Sequence, residues 1–171
     1  FSVFLIFNLT FVSSAQAAPT FIDSFDVSGQ DTNPRGLRFN NDGTKMFVVG
    51  NDGDDINEYT LSTSFDVSSA TFVDSFDVSG QDTGPVSIAF NNDGTKMFVS
   101  GNAGDDINEY TLTTGFDVSS ATFVDSFDVS GQDTGPKGIT FNNDGTKMFV
   151  VGNAGDDINE YTLTTGFDVS S

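Results

Sequence analysis

Carboxylates are almost the only side chains in this sequence that could do chemistry. The 171 residues include 25 Asp and Glu against six Lys and Arg, a formal charge of −19, and they include no His, Cys or Trp. Without His and Cys the chain has no imidazole catalyst, thiolate nucleophile, disulfide or His/Cys zinc site. The negative charge also argues against nucleic acid and anionic membranes as partners, because both attract basic surfaces. The chemistry that remains is acid–base or cation-binding chemistry by carboxylates.

The acidic residues recur in three near-identical copies. A segment Thr-Phe-[Ile/Val]-Asp-Ser-Phe-Asp-Val begins at residues 20, 71 and 122, so the copies span 20–70, 71–121 and 122–171 with a period of 51 residues. Each copy contains Gly-Gln-Asp-Thr and then Gly-Asn-x-Gly-Asp-Asp, which supply Asp31, Asp54, Asp55, Asp82, Asp105, Asp106, Asp133, Asp156 and Asp157. Turns of Gly and Asp can direct oxygens at a hard cation, so Ca²⁺ is the candidate metal, although no cofactor is required. The alternative is that these residues only form turns.

Four predicted strands per copy must position these turns. In the first copy the strand signals cover 21–27, 35–39, 45–49 and 56–61, separated by Gly, Asn and Asp, and no helical period is present. The stretch Met46-Phe47-Val48-Val49 is apolar on both faces, which indicates a sheet enclosed between neighbouring copies. A 51-residue period with four strands predicts propeller blades. An immunoglobulin-type sandwich is the weaker alternative, because it needs about 100 residues and seven strands.

The repeat also resembles a known family. The pattern Pro-x-x-[Leu/Ile]-x-Phe-Asn-x-Asp-Gly-Thr-Lys-Met-Phe-Val, followed by Asp-Ile-x-x-Tyr-x-Leu, is similar to the blade repeats of YVTN/NHL-type and lactonase-like β-propellers, and it covers residues 20–171. The resemblance implies an all-β fold of four-stranded antiparallel blades that belong to a larger ring. It specifies the activity poorly, because such blades serve enzymes, receptors and scaffolds alike.

Three blades leave the ring open, because propellers have about four to eight. The chain would begin with an outer strand that has no blade, and it would end with a blade that has no outer strand. Either further blades of the same chain or a second copy must complete the ring. We favour further blades, since both ends of the sequence look cut.

The copies differ mainly around the innermost predicted strand. Eleven of the 14 differences between successive copies fall at 33–38, at 49–52 or at the equivalent positions. These windows map to the mouth of the central channel, which yields the candidate ligand-binding residues Arg35, Arg38, Val86, Ala89, Lys137 and Thr140. A water-filled channel that tolerates substitution would give the same pattern.

This variation predicts a module that binds an extracellular ligand, a glycan or a protein. The alternative is a carboxylate- and metal-dependent hydrolase, similar to the lactonases. A hydrolase would need an asymmetric site, which near-identical copies offer poorly, and we assign no catalytic residue. The sequence leaves open whether the protein is an enzyme.

The first 17 residues predict export. Residues 1–12 are an apolar run, and Ala15-Gln16-Ala17 gives the small-x-small pattern of a signal-peptide cleavage site. The run is too short for a transmembrane span, which needs about 20 residues. We therefore expect a signal peptide at 1–17, truncated at its start, propeller repeats at 18–171, and an extracellular or periplasmic location.

Overall fold

The computed structural model describes residues 18–171, so the predicted signal peptide lies outside the described residues. This part of the chain is built of antiparallel strands, with two short 3-10 turns at Val67–Ser69 and Val118–Ser120. The strands are β1 Pro34–Phe39, β2 Lys45–Gly50, β3 Asp55–Leu61, β4 Ala70–Asp77, β5 Pro85–Phe90, β6 Lys96–Gly101, β7 Asp106–Leu112, β8 Ala121–Asp128, β9 Pro136–Phe141, β10 Lys147–Gly152 and β11 Ile158–Thr162. The all-β prediction is confirmed. Between residues 18 and 171, no helix has the length and apolar character that a membrane crossing requires.

The strands form three separate meanders. Strands β1–β4 make blade 1, β5–β8 make blade 2, and β9–β11 make blade 3, which has only three strands. The first strands β1, β5 and β9 lie against one another, so they are the inner strands of the arc. Residues 20–27, here called the lead segment, repeat the sequence of β4 and β8 except at Ile22, yet they belong to no sheet. The predicted offset is therefore confirmed: each outer strand comes from the following copy.

A tight turn joins the first two strands of each blade. Gly43 has φ +71°, and the carboxylate of Asp42 accepts a hydrogen bond of 3.0 Å from the N–H of Thr44. A Cβ atom on Gly43 would lie 2.4 Å from the ring of Phe65, so glycine is required both by the backbone and by packing. The Asn-Asp-Gly sequence thus forms a tight hairpin turn between the first two strands.

The core lies between the blades. Phe47, Val49 and Ile56 are fully buried on the face of blade 1 that packs against blade 2. Met46 and Tyr59 are buried on the opposite face, under the lead segment. In contrast, β4 and β8 form the outer edges and are largely exposed. The middle strands need cover on both faces, as their sequence predicts.

An ion pair also joins each blade to the next. The Lys45 Nζ lies 2.7 Å from Glu58 Oε1 and donates a 2.6 Å hydrogen bond to the carbonyl of Phe116. The other oxygen of Glu58, a residue only 1% exposed, accepts a 2.9 Å bond from the buried N–H of Val118. Lys96 and Glu109 bind the loop of blade 3 in the same way. The buried Glu58 and the neighbouring Lys45, which directly follows the hairpin turn, thus bind blade 1 to blade 2.

One set of differences between the copies is a matched change in packing. Gly36 pairs with Val49 and Gly138 with Val151, whereas blade 2 pairs Ser87 with Ser100. A Cβ atom on Gly36 would lie 2.9 Å from Val49 Cγ2 and 2.7 Å from a backbone carbonyl of blade 2. A valine on the second strand therefore requires a glycine at the paired position of the inner strand, because a side chain there would contact the valine.

We predict that Ser100→Val and Ser87→Gly are coupled. The Ser100 hydroxyl is buried without a hydrogen-bond partner, so its removal is favourable, but the new valine would press on the Cβ of Ser87. In urea unfolding, the free energy of unfolding of the double variant should exceed the value expected from the sum of the two single changes by about 0.5–3 kcal/mol. Additive free energies would contradict this interpretation.

Candidate functional site

Two loops meet at one end of each blade, here called the loop face. They are the loops before the inner strands (28–33, 79–84 and 130–135) and the loops after the second strands (51–54, 102–105 and 153–157). Asp31 joins them: its Oδ2 accepts 2.9 Å bonds from the N–H groups of Asp52 and Gly53, and its Oδ1 accepts a 2.6 Å bond from Asn33. The two acidic motifs therefore meet at one end of the blade, because the loop before the first strand and the loop after the second strand of an antiparallel meander lie at the same end.

The carboxylate of the Asp in each Gly-Gln-Asp-Thr motif accepts hydrogen bonds from the backbone. Asp31, Asp82 and Asp133 are 2–3% exposed, and each accepts at least three bonds from main-chain N–H groups. The N–H of Gly155, with other amides of the loop, holds the pKa of Asp133 below its usual value. These carboxylates tie the loops together, which is the turn-forming role that the sequence offered as the alternative to metal binding.

The next Asp, the first of the Asp-Asp pair in Gly-Asn-x-Gly-Asp-Asp, anchors the end of the outer strand of its own blade. Asp54, Asp105 and Asp156 have positive φ angles of 49–54°, a conformation that Asp tolerates better than most residues. The carbonyl of Asp54 accepts a 2.9 Å bond from the N–H of Val78, which directly follows β4 of the same blade. Burial, followed by the charge of Asp82, raises the pKa of Asp54.

The last Asp of the Gly-Asn-x-Gly-Asp-Asp motif lies close to the Asp of Gly-Gln-Asp-Thr, as Asp55 and Asp31 show in blade 1. A Cβ atom on Gly50 would lie 2.5 Å from both Asp31 Oδ2 and Asp55 Oδ1, so the two carboxylates crowd one backbone position. Asp55 accepts a 2.6 Å bond from the side-chain amide of Asn57, and Asp106 and Asp157 are bound to the equivalent asparagines. Burial raises the pKa values of Asp55 and Asp106, although these amides oppose the shift. No group of three metal-ligating side chains occurs within residues 18–171, and Ca²⁺ binding stays a prediction.

The six candidate ligand-binding residues divide between the two ends of the inner strands. Arg35 is exposed beside the loop face, where its Nε donates a 3.3 Å bond to Asn33 Oδ1. Lys137 is also exposed there, and its Nζ donates a 3.0 Å bond to Asn102 of blade 2. These two basic groups lie on the predicted channel mouth.

The other four candidates lie elsewhere or are covered. Arg38, Ala89 and Thr140 line a cavity of about 120 Å³ together with Asn92, Asn142 and Asn143, which belong to the hairpin turns at the opposite end. Val86 and Ala89 are only 8% and 3% exposed, so Arg38 and Thr140 provide most of the accessible surface. The prediction of a single mouth missed these asparagines, since their Asn-Asn-Asp-Gly motif was interpreted only as a turn.

We predict that Asp82→Ala destabilises the chain by about 2–4 kcal/mol. The substitution removes the buried carboxylate that the N–H groups of Gly84, Ala103 and Gly104 share as their acceptor in partly buried bonds. The exposed Asp125 provides the matched control, and Asp125→Ala should change the free energy of unfolding by less than about 0.5 kcal/mol. Equal effects of the two substitutions in urea unfolding would contradict the tying role of Asp82.

We also predict a pH-dependent gain in stability from Asp106→Asn. Because the pKa of Asp106 is raised in the folded state, its contribution to stability is present below the unfolded pKa and is lost as the pH rises through the folded pKa. The variant should therefore melt at a higher temperature than wild type at pH 7. The difference should shrink as the pH falls through the raised folded-state pKa of Asp106 toward the ordinary pKa of an Asp side chain. A difference that does not depend on pH would show that the charge of Asp106 is not the cause.

Comparisons with solved structures identify the fold. A putative 6-phosphogluconolactonase from Bacteroides uniformis matches 77% of this chain with a TM-score of 0.58 and 14% identity, and the match covers 37% of that protein. A periplasmic gluconolactonase from Pseudomonas aeruginosa matches 75% (TM-score 0.55, 16% identity, 35% of its length), and the β-propeller domain of Cps50 (Swd1) from Myceliophteria thermophila matches 75% (TM-score 0.51, 16% identity, 37% of its length).

The chain thus spans little more than a third of each of these three structures. No protein-family profile and no curated protein matches the sequence. Identities this low establish the fold and leave the activity open. The three sheets of residues 18–171 are blades of a β-propeller.

Proposed function

We propose that this protein is an exported binding module that recognises a carboxylate-bearing glycan or peptide through its inner strands. The observation that carries the proposal is the position of the basic residues. Arg35, Arg38 and Lys137 are exposed on β1 and β9, at positions where the copies differ, in a chain with only six basic residues.

The chemistry of these groups favours planar anions. A guanidinium presents a rigid set of donors that fits a carboxylate with two hydrogen bonds, and an exposed ammonium adds a point charge. Arg35 and Lys137 would bind at the loop face, whereas Arg38 would bind at the cavity beside Thr140. The other three basic residues, Lys45, Lys96 and Lys147, are paired with glutamates.

Export rests on the sequence before the described residues. The apolar run at 1–12 and the Ala15-Gln16-Ala17 pattern are typical of a secretory signal. Outside the cell or in the periplasm, a module of this kind would meet glycans and surface proteins. A cell fractionation that finds the unprocessed chain in the cytoplasm would contradict this part of the proposal.

A metal-dependent hydrolase is the second candidate, and the names of two structural neighbours, both lactonases, favour it. It would have to use carboxylates such as Asp54 and Asp55, because the oxygens of Asp31, Asp82 and Asp133 already accept main-chain bonds. Near-identical blades also offer few distinct residues for a single catalytic centre. We therefore rank binding above hydrolysis.

The test is the double substitution Arg35→Val and Arg38→Ala, which introduces residues that blade 2 already carries at these positions. Both arginines are exposed, so the free energy of unfolding should change by less than about 0.5 kcal/mol. Binding to oligosaccharides that end in a uronic or sialic acid, and to acidic peptides, should fall at least tenfold by calorimetry. Gly36 stays unchanged in this variant, because a side chain there would meet the backbone of blade 2.

The matched control is Arg35→Lys with Arg38→Lys, which keeps the charge and removes the planar fork. This control should retain part of the affinity. If the wild type and the valine–alanine variant bind every tested ligand equally, the inner strands are not the recognition surface.

A further inference from the structure

Two of the exposed basic residues approach blade 2 from opposite sides. Arg38 pairs across its sheet with Phe47, whose ring packs on blade 2, so both side chains leave blade 1 on the face toward blade 2. Lys137 belongs to blade 3, and its Nζ donates a 3.0 Å bond to the side chain of Asn102 in blade 2. The inner strand β5 of blade 2 therefore lies between a basic group of each neighbouring blade.

The two basic groups lie at opposite ends of β5. Arg38 lines the cavity of about 120 Å³ together with Ala89, near the end of β5 that leads into the hairpin turn. Lys137 contacts Asn102, whose N–H donates a 3.0 Å bond to the carbonyl of Gly84, directly before β5 begins. With a rise of about 3.3 Å per residue and one bulge in β5, this stretch of strand separates the two groups by about 15 Å.

The strand between the two basic groups is a low and uncharged surface. Its sequence is Pro-Val-Ser-Ile-Ala-Phe, without a charged residue. Val86, Ile88 and Ala89 are only 8%, 4% and 3% exposed. An extended ligand that lies along β5 would therefore meet little steric obstruction and would find a positive charge at each end.

Neutral residues surround Arg38, and one replaces an acid beside Lys137. The cavity beside Arg38 is lined by neutral side chains, three of which are asparagines. The loop that Lys137 contacts carries Ala103 at the position where blade 1 has Asp52. A negative group therefore meets less repulsion at these two places than the formal charge of −19 would suggest.

We propose that the ligand is a linear molecule with two carboxylates about 15 Å apart, which lies along β5 and is bound by Arg38 at one end and by Lys137 at the other. This inference rests on the proposed function and specifies the length and charge spacing of its ligand. The guanidinium binds one carboxylate with two hydrogen bonds, and the ammonium provides a point charge for the other. Once one carboxylate is bound, the second binds at a high effective concentration, so the two contacts reinforce each other.

Peptides of fixed length test the spacing. Oligoproline forms an extended helix with a rise of about 3.1 Å per residue, so it serves as a ruler. The probes have blocked termini and one glutamate at each end of one, four or nine prolines, which separates the glutamates by roughly 6, 16 or 31 Å. In calorimetry, the four-proline peptide should bind at least about tenfold more tightly than the other two, and than its own version with one glutamate replaced by glutamine.

Substitutions taken from blade 2 test the two contacts. Arg38→Ala and Lys137→Val introduce the residues that blade 2 carries at these positions, and both side chains are exposed, so the circular dichroism spectrum should not change. Each variant should bind the four-proline peptide no better than the one-glutamate version, because a single basic group holds a single carboxylate. The matched control is Arg35→Val, which removes the same charge on the other side of blade 1, beside Phe25 and Met46. It should leave the ratio of the two affinities unchanged.

A second arm uses galacturonic acid oligomers of increasing length. An affinity that rises steeply once the oligomer spans about 15 Å would identify a glycan, and a spacing dependence confined to the peptides would identify a peptide. If no acidic peptide or glycan binds, the proposed function fails and this inference fails with it. If acidic ligands bind equally at every spacing in both arms, or if Arg38→Ala and Lys137→Val leave the affinity ratio unchanged, this inference is wrong and the proposed function stands.

Discussion

Lys45 and Glu58 of blade 1 hold the backbone of blade 2 between them, at Phe116 and Val118, beside a cluster of fully buried side chains that includes Phe47 and Ile56. A buried glutamate needs both its cation and its N–H donor, because an unpaired charge in this place would be strongly destabilising. The pair is therefore satisfied only when a neighbouring blade is present. This dependence of each blade on the next explains why the exposed pair of blade 3 marks the end of the arc.

The same dependence limits where the copies can differ. Residues between blades must fit two neighbours at once, so changes there occur in matched sets, as in Gly36 with Val49 and Ser87 with Ser100. Exposed positions on the inner strands, such as Arg35, have no such partner and can change alone. The variable positions thus contain a packing set and a surface set, and the proposed ligand recognition uses only the surface set.

The loop face is held rigid from within. Buried carboxylates such as Asp82 join two loops of one blade, and the carbonyls of Asp54 and Asp105 accept N–H bonds from the residues that directly follow the outer strands of the same blades. The carboxylates in this network already accept main-chain hydrogen bonds, so fewer acidic groups remain for a metal site. Hydrogen-bonded carboxylates beside a few exposed basic groups support the proposed recognition surface over a catalytic site made of carboxylates.

The sequence by itself determined the strands and the 51-residue unit, because the alternation of apolar residues and the turn glycines are local properties of each copy. It also placed the two acidic motifs at one end of each blade. Only the tertiary structure decided which carboxylates are free, since the main-chain donors that occupy Asp31 come from residues 52 and 53, on a different loop. It likewise separated Arg35 from Arg38, which lie close in sequence but near opposite ends of an inner strand. Hydrogen-bond partners and exposure depend on neighbours that are distant along the chain, and no local pattern records them.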